Sequence, residues 1–250
     1  MQLLELTAYL DDYLAIEDIP DYRDAWNGLQ VQSEGDIRKI AVAVDACRYT
    51  IEKTIEEGAQ LLLVHHGLFW GTKPPLTGNY FNRVAPLIKS NTALYSAHLP
   101  LDVHPEVGNN PVLARLLGLP VTGSFGKFEG MSIGLLSDVE MTVGELAERG
   151  REVLKIEPKL IGDPARKVKR IALLTGGGGS LISEAAKAGA DVYLTGEGNH
   201  HTYFEAVEWG IDILYAGHYA TETVGVKALA THLENRFGLE TVFIDFPTGL

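Results

Sequence analysis

Four consecutive apolar residues, Leu61 to Val64, are followed directly by His65, His66 and a glycine. The run is bounded by Gly58 and Gly67, which predicts a short strand buried on both faces, as in a parallel sheet. In an open α/β sheet, ligands bind beyond the carboxyl ends of the strands. The stretch therefore predicts an α/β fold with a parallel sheet, and it places two histidines at the end of a strand, where ligands usually bind.

The rest of the chain alternates short apolar runs with segments whose apolar residues recur at helical spacing. The other predicted strands are Lys39–Val44, Thr92–Ser96, Met131–Leu136, Val168–Thr175, Asp191–Leu194, Ile211–Tyr215 and Thr241–Ile244, with a short one after Trp26. The predicted helices are Leu3–Leu14, Tyr49–Glu57, Asn82–Lys89, Pro111–Leu117, Thr142–Lys155, Tyr203–Trp209 and Thr221–Arg236, and another from Leu181. Strands and helices in this alternation favour βαβ units and mainly parallel sheets.

An internal repeat suggests two related halves. Ile171-Ala172 lies 131 residues after Ile40-Ala41, and the apolar run Val192–Thr195 lies the same distance after Leu61–Val64. The alternative is that any two βα units resemble each other in their apolar positions. We predict two similar, interlinked α/β domains, 1–125 and 126–250, with the boundary near 124–130.

Charge and cysteine content exclude several classes of protein. The 250 residues carry a formal net charge of −12, which disfavours non-specific binding to nucleic acid. A single cysteine, Cys47, excludes an internal disulfide framework and suggests a reducing compartment. We expect neither a signal peptide at Met1 nor a membrane-spanning segment, and hence a cytoplasmic protein.

The spacing His-x-x-x-acid occurs twice, in His98 with Asp102 and in His218 with Glu222. Residues four apart share one face of a helix, so each pair can converge on a single point. With the two adjacent histidines, these groups are what a two-metal site needs, and nitrogen and oxygen ligands suit Zn, Fe, Mn, Co or Ni. The alternative is that the histidines are buried hydrogen-bonded residues and the acids are helix-capping or first-turn residues.

Several longer motifs match one family. They are Trp26–Val31, His65–Trp70, Ser96–His98 with Leu101-Asp102, Thr195–Glu197 with His201, Ala216–Glu222, and Phe243–Asp245. On these residues the chain resembles, over essentially its whole length, the YbgI or Nif-three-like dinuclear metal centre proteins. Members are also called GTP cyclohydrolase I type 2 homologs.

The resemblance implies two divalent metal ions bound between two similar α/β domains. It assigns the metal ligands to His65, His66, Asp102, His218 and Glu222. It also implies a role for His98 near the substrate or in support of a ligand, and an acid/base or substrate-holding role for His201. These two are therefore the predicted catalytic residues. Further implications are a ring-shaped homohexamer and, from the family label, ring opening of GTP.

We therefore expect a metal-dependent hydrolase of a small molecule or nucleotide. The alternative is a non-enzymatic hexamer that binds, stores or delivers metal or serves as an interaction scaffold. Two secondary features remain open. Gly176–Gly179 follows a strand and could bind a phosphate through backbone N–H groups or simply form a tight turn. His104 is expected on a surface loop.

Overall fold

The computed structural model describes residues 1–71 and 75–249 and shows the predicted alternation of strands and helices. The elements up to the middle of the chain are α1 (Leu3–Tyr13), β1 (Gly28–Val31), β2 (Lys39–Asp45), α2 (Arg48–Glu56), β3 (Leu61–His66), α3 (Gly78–Lys89), β4 (Ala93–Ser96), α4 (Leu99–Val103) and α5 (Asn109–Leu116). The remaining elements are β5 (Gly123–Phe128), β6 (Met131–Thr142), α6 (Val143–Leu154), β7 (Lys159–Ile161), β8 (Lys167–Leu174), α7 (Ile182–Lys187), β9 (Val192–Thr195), α8 (Thr202–Trp209), β10 (Asp212–Tyr215), α9 (His218–Phe237) and β11 (Glu240–Phe243).

The chain divides into two units. The first comprises Met1–Val107 with Gly225–Phe246, and the second comprises Gly108–Val224 with Pro247–Leu250. This division differs from the predicted ranges 1–125 and 126–250. Residues 124–130 do not form a linker, because they belong to β5 and to the turn of the β5–β6 hairpin, where Glu129 and Gly130 have positive φ angles of 47° and 90°.

The first unit contains a five-stranded sheet of order β1-β4-β3-β2-β11. All its pairings are parallel except that of β1 with β4. The central strand β3 is buried from Leu61 to His65, as its uninterrupted apolar run predicted. Burying such a leucine or valine side chain stabilises the fold by about 1.5–3 kcal/mol, so this run holds the end of the strand, and the histidines on it, in place.

The second unit contains a six-stranded sheet of order β5-β6-β8-β9-β10-β7. Strands β8, β9 and β10 are parallel, while β5, β6 and β7 pair antiparallel with their neighbours. The predicted fold class, two α/β units, is confirmed. Parallel pairing dominates the first sheet, as predicted. The second sheet is mixed because β5, β6 and β7 pair antiparallel; of these strands the sequence predicted only Met131–Leu136, within β6.

The internal repeat corresponds to one pair of adjacent parallel strands in each sheet, β2 with β3 and β8 with β9. Ile40 pairs with Leu61 in the first sheet, and Ile171 pairs with Val192 in the second. Both members of the second pair lie 131 residues after their counterparts. The sequence repeat therefore reflects a common strand register rather than a coincidence of apolar residues.

No helix within residues 1–71 and 75–249 combines the length and the hydropathy needed to cross a bilayer.

Candidate metal centre

The first group of candidate ligands lies where β3 and β4 end. The parallel register pairs Val64 with Ser96, so the residues that follow, His65 and His66 on one strand and His98 after the other, run side by side. Each histidine offers one ring nitrogen, and these three atoms all lie within 4.8 Å of one another. The register of two neighbouring strands thus assembles an imidazole cluster, which we call the N-terminal histidine cluster.

Each ring of the N-terminal histidine cluster is oriented through its Nδ1 atom. The acceptors for His65, His66 and His98 are the Ala97 carbonyl at 2.9 Å, Asp45 Oδ1 at 2.9 Å and Asp21 Oδ1 at 2.8 Å, respectively. A proton on Nδ1 leaves Nε2 with a lone pair. Histidines that bind metals are held in this way, with the other ring nitrogen donating to a carbonyl or carboxylate.

Asp102 lies beside His65, another predicted metal ligand of the first unit. Its Oδ1 atom is 3.5 Å from His65 Nε2, and both side chains are buried. That distance is longer than an ordinary N–H···O hydrogen bond. It is close to the roughly 3.4 Å that separates two ligand atoms bound at about 2.1 Å to one tetrahedral cation. The geometry therefore fits two ligands of one metal.

Asp21 lies in the irregular stretch between α1 and β1 and accepts hydrogen bonds from His98 and from the Asn27 amide. Burial would raise the pKa of Asp21, but the hydrogen bonds from His98, from the Asn27 amide and from the Tyr22 backbone N–H outweigh it and lower the pKa. Asp21 is therefore an ionised carboxylate that orients the His98 ring.

The second group of candidate ligands begins helix α9. His218 and Glu222 are one turn apart, and His218 Nε2 is 3.1 Å from Glu222 Oε1. On its other side, His218 Nδ1 is 2.9 Å from Oε1 of Glu197, which lies in the loop after β9. We call these three residues the C-terminal His–Glu group.

The electrostatics of the C-terminal His–Glu group favour a cation. Burial would lower the pKa of His218, but the hydrogen bonds and charges of Glu222 and Glu197 raise it to about 9. At neutral pH a proton therefore lies between His218 Nε2 and the buried carboxylate of Glu222. A divalent cation could replace that proton, so the donor set of this group also fits a metal.

The glycine loop Gly176–Gly179 packs against this second group. A Cβ atom at Gly176 would overlap Glu222 Oε1, and one at Gly178 would overlap the hydroxyls of Thr195 and Tyr193. Gly178 and Gly179 are buried, and the helix that follows, α7, has only six residues. The structure favours the tight-turn interpretation over a phosphate site, because the loop makes room for the Glu222 carboxylate.

The other histidines singled out in the sequence differ in their surroundings. His201 precedes α8 and is 63% exposed, with Nε2 3.8 Å from Glu205 Oε1. The placement of His104 on a surface loop was wrong. Its ring is buried against Tyr13, and its Nδ1 atom faces the backbone N–H groups of Glu106 and Val107.

Sequence reasoning assigned no role to three carboxylates that orient the histidines, namely Asp21, Asp45 and Glu197, although Glu197 belongs to the motif Thr195–Glu197. Asp45 had a usable signal, because it ends β2 and pairs in register with His66 on the adjacent parallel strand. Glu197 had one too, since it lies 131 residues after His66 in the internal repeat. Asp21 lies outside any strand or helix, and no local pattern marks it.

Comparison with known proteins decides the family. The family model Duf34/NIF3 (NGG1p interacting factor 3) matches residues 1–249. The chain belongs to the Duf34/NIF3 family. The resemblance noted in the sequence is thereby confirmed.

Relatives in the Duf34/NIF3 family are similar over the full chain. A GTP cyclohydrolase 1 type 2 homolog from Deinococcus radiodurans is 41% identical over 98% of this chain and 94% of its own. The crystal structure of TTHA1606 from Thermus thermophilus is 43% identical with a TM-score of 0.90, and the solved structure of ybgI, a protein of unknown function, is 37% identical with a TM-score of 0.92. Both structures match over 100% of each chain.

Proposed function

We propose that this Duf34/NIF3 protein is a metal-dependent hydrolase of a small molecule, with a nucleotide as the first candidate class. In this proposal two divalent ions are bound by His65, His66, Asp102, His218 and Glu222. That these residues bind the same ions is an implication of the family resemblance. GTP enters as a candidate substrate because relatives carry the name GTP cyclohydrolase 1 type 2 homolog.

One observation carries the proposal. All three proposed histidine ligands, His65, His66 and His218, present Nδ1 to a backbone carbonyl or a carboxylate at 2.9 Å. A histidine that only stabilises the core needs no such uniformity, whereas a ligand needs its Nε2 lone pair aimed in a fixed direction. Two divalent cations held by such residues supply Lewis acidity for hydrolysis at carbon or phosphorus.

The chain's own residues would perform the remaining tasks. Asp45, Asp21 and Glu197 hold three imidazole rings in one tautomer each. His98, oriented by Asp21, and His201 are the proposed proton-transfer groups, since imidazole exchanges protons near neutral pH. The ring of Trp70 packs edge-on against His98 at 4.8 Å, which shields one side of that histidine from water.

The experiment is an activity screen on metal-reconstituted protein. Purified chain is loaded separately with Zn, Mn, Fe, Co or Ni, the metal is counted per subunit, and GTP, other nucleotides and phosphoesters are tested for turnover. We expect turnover with at least one metal, lost in His66→Ala and retained in Glu152→Gln, an exposed acid on α6. In His98→Ala and His201→Ala we expect a lower kcat with the metal content unchanged.

Metal bound without turnover at any loading would contradict the hydrolase proposal and favour the scaffold or storage alternative. The molecular mass of the protein in solution, measured on the same metal-loaded samples, also tests the expected homohexamer. If the metal stabilises that assembly, the hexamer should dissociate on chelation.

A further inference from the structure

An open cavity of about 1270 Å³ lies within the second unit, and all the described residues that line it belong to that unit. Its walls come from β7 and the turn after it, from α8, and from the loops that follow β9 and β10. Ligand sites for small molecules typically occupy about 300–1,000 Å³. The cavity therefore has room for a molecule the size of a nucleotide.

One end of the cavity reaches the C-terminal His–Glu group. Glu197 and Gly196 both line it, and Glu197 is the residue that hydrogen-bonds His218. A Cβ atom at Gly196 would lie 2.8 Å from His218 Cα, so the two loops touch at this point. A molecule in the cavity would thus extend from the residues that contact His218, a proposed metal ligand.

The wall formed by α8 is aromatic and accessible. Tyr203 and Phe204 line the cavity yet are 50% and 54% exposed. Their rings pack edge to face at a centroid distance of 5.5 Å, which orients both. Tyr215 and Tyr219 add further rings to the lining. Accessible aromatic faces inside a cavity are surfaces on which a planar ring can stack.

The end near β7 presents a fixed cation. Arg166 Nη1 donates to Asp212 Oδ1 at 3.1 Å and to the Gly210 carbonyl at 3.2 Å, which holds the guanidinium in place. Within residues 1–71 and 75–249, Nε and Nη2 of Arg166 make no hydrogen bond. A guanidinium with two N–H donors available on one edge can form two parallel hydrogen bonds with a phosphate or carboxylate.

Each acidic residue that lines the cavity is paired with a cationic side chain. Glu157 is bound by Arg151 at 2.6 Å, and Glu197 is bound by His218. Asp212 is the carboxylate that positions Arg166 itself. The exposed Lys159 lines the same end and adds a second positive charge. Because each of these acids has a cationic partner, Lys159 and the remaining donors of Arg166 can face an anionic group.

We propose that this cavity binds the organic part of the substrate: a planar aromatic ring stacked on Tyr203 and Phe204, with an anionic substituent held by Arg166. This inference rests on the proposed function for the identity of the ligand as a substrate, but the binding itself requires no metal. The ligand class is an aromatic ring that carries a phosphate or carboxylate, of which a nucleoside monophosphate is one member.

The test is a calorimetric titration of the purified protein with guanosine 5′-monophosphate, guanosine and inorganic phosphate, each with and without excess chelator. We expect the nucleotide to bind at least tenfold more tightly than guanosine or phosphate alone, in both conditions. Tyr203→Ala should weaken nucleotide binding roughly 5- to 100-fold, because stacking is lost. Arg166→Lys keeps the charge beside Asp212 but loses the two-donor fork, so nucleotide binding should weaken about tenfold while guanosine binding is unchanged.

The matched controls are Trp209→Ala, an exposed aromatic of α8 outside the cavity lining, and Lys169→Gln, an exposed cation elsewhere on the second unit. Both should bind like the unchanged protein. The inference is overturned if the nucleotide does not bind at millimolar concentration, if guanosine binds equally well, or if Tyr203→Ala and Arg166→Lys match their controls. Absence of turnover in the metal screen would leave this titration intact, so the two proposals fail separately.

Discussion

The N-terminal histidine cluster and the C-terminal His–Glu group present the same kind of ligand by different means. In the cluster, three imidazoles come from two adjacent strand ends, and the parallel register of β3 and β4 brings them together. In the His–Glu group, one helical turn of α9 places His218 over Glu222.

The two groups also differ in charge. His218 lies between two carboxylates, whereas His65 has a backbone carbonyl at Nδ1 and the Asp102 carboxylate 3.5 Å from Nε2. The comparison teaches that a sheet can gather imidazoles from distant positions, while a single helix turn supplies a compact imidazole–carboxylate pair. We therefore expect the C-terminal group to hold a cation electrostatically and the N-terminal cluster to contribute more to geometry.

The largest expected effect is the loss of metal in Glu222→Gln. A neutral amide keeps the shape but removes the charge that faces His218 Nε2, so we expect at least one fewer metal ion per subunit by elemental analysis. Glu152→Gln on the exposed face of α6 is the control and should retain full loading. If Glu222→Gln retains two metal ions, the charge of Glu222 is not needed to bind them. That result would contradict the expected difference between the two groups.

Gly176→Ala tests how closely the second group is packed. The added methyl would overlap Glu222 Oε1 and would sit at a φ of +68°, so we expect a loss of about 2–4 kcal/mol in the free energy of unfolding. The control is Gly210→Ala, where φ is +66° and no atom lies within 4 Å of the added carbon. It should lose only about 1 kcal/mol from backbone strain. Equal losses in urea denaturation would mean that the contact with Glu222 has no energetic effect.

Asp45→Ala tests the role of ring orientation in the N-terminal cluster. Without the acceptor for Nδ1, the His66 ring can rotate and change tautomer, and we expect metal affinity to fall roughly 10- to 100-fold in competition with a chelator. Asp45 is 40% exposed on its side chain, so the fold should tolerate the change. Asp18→Ala, an exposed acid after α1, is the control. Unchanged affinity would place His66 outside the ligand set.

The smallest expected effect is the pH dependence of the metal-free protein. The pKa of His218 is raised in the folded state from its ordinary value of 6.5 to about 9. Its contribution to stability is therefore fully present below about pH 6.5 and is lost as pH rises through about 9. We expect the free energy of unfolding to fall by on the order of 1–2 kcal/mol across this window, and His218→Gln to flatten that slope. A slope that persists in the variant would assign the titration to another group.

Metal binding should show the opposite trend over the same window. Because a ligand must lose its proton to bind a cation, affinity at the C-terminal group should rise with pH until His218 is deprotonated. Proton release on zinc addition, measured by calorimetry in buffers of different ionisation enthalpy, would follow this exchange directly.

Local sequence patterns predicted most of the strands and helices, because burial and helix capping in these segments follow from residues close together in the sequence. The run Leu61–Val64 is buried as its composition predicted, and Thr142 forms a capping box with Glu145 where the predicted helix Thr142–Lys155 begins. The β5–β6 hairpin was missed because its outer strand, Gly123–Phe128, has an irregular burial pattern and two glycines. Long-range pairing, and not local preference, makes that segment a strand.

The candidate ligands were identified from spacing and position, but the groups that orient them were not. His98 with Asp102 and His218 with Glu222 carry a helical spacing that any reader of the sequence can find. Asp21 meets His98 across 77 positions of chain, and Ala97 meets His65 through a backbone carbonyl that every residue possesses. Neither contact can be predicted from the composition or the periodicity of the sequence.

The amino-acid sequence by itself determined the α/β class, the strand that ends in two histidines and the repeated His-x-x-x-acid motif, because each follows from local periodicity and residue chemistry. Only the tertiary structure decided which carboxylate faces each ring, that Gly176 clears space for Glu222, and that Arg166 and the aromatic residues of α8 share one cavity. These features depend on the register and the packing of segments far apart in the chain, which spacing along the sequence does not encode.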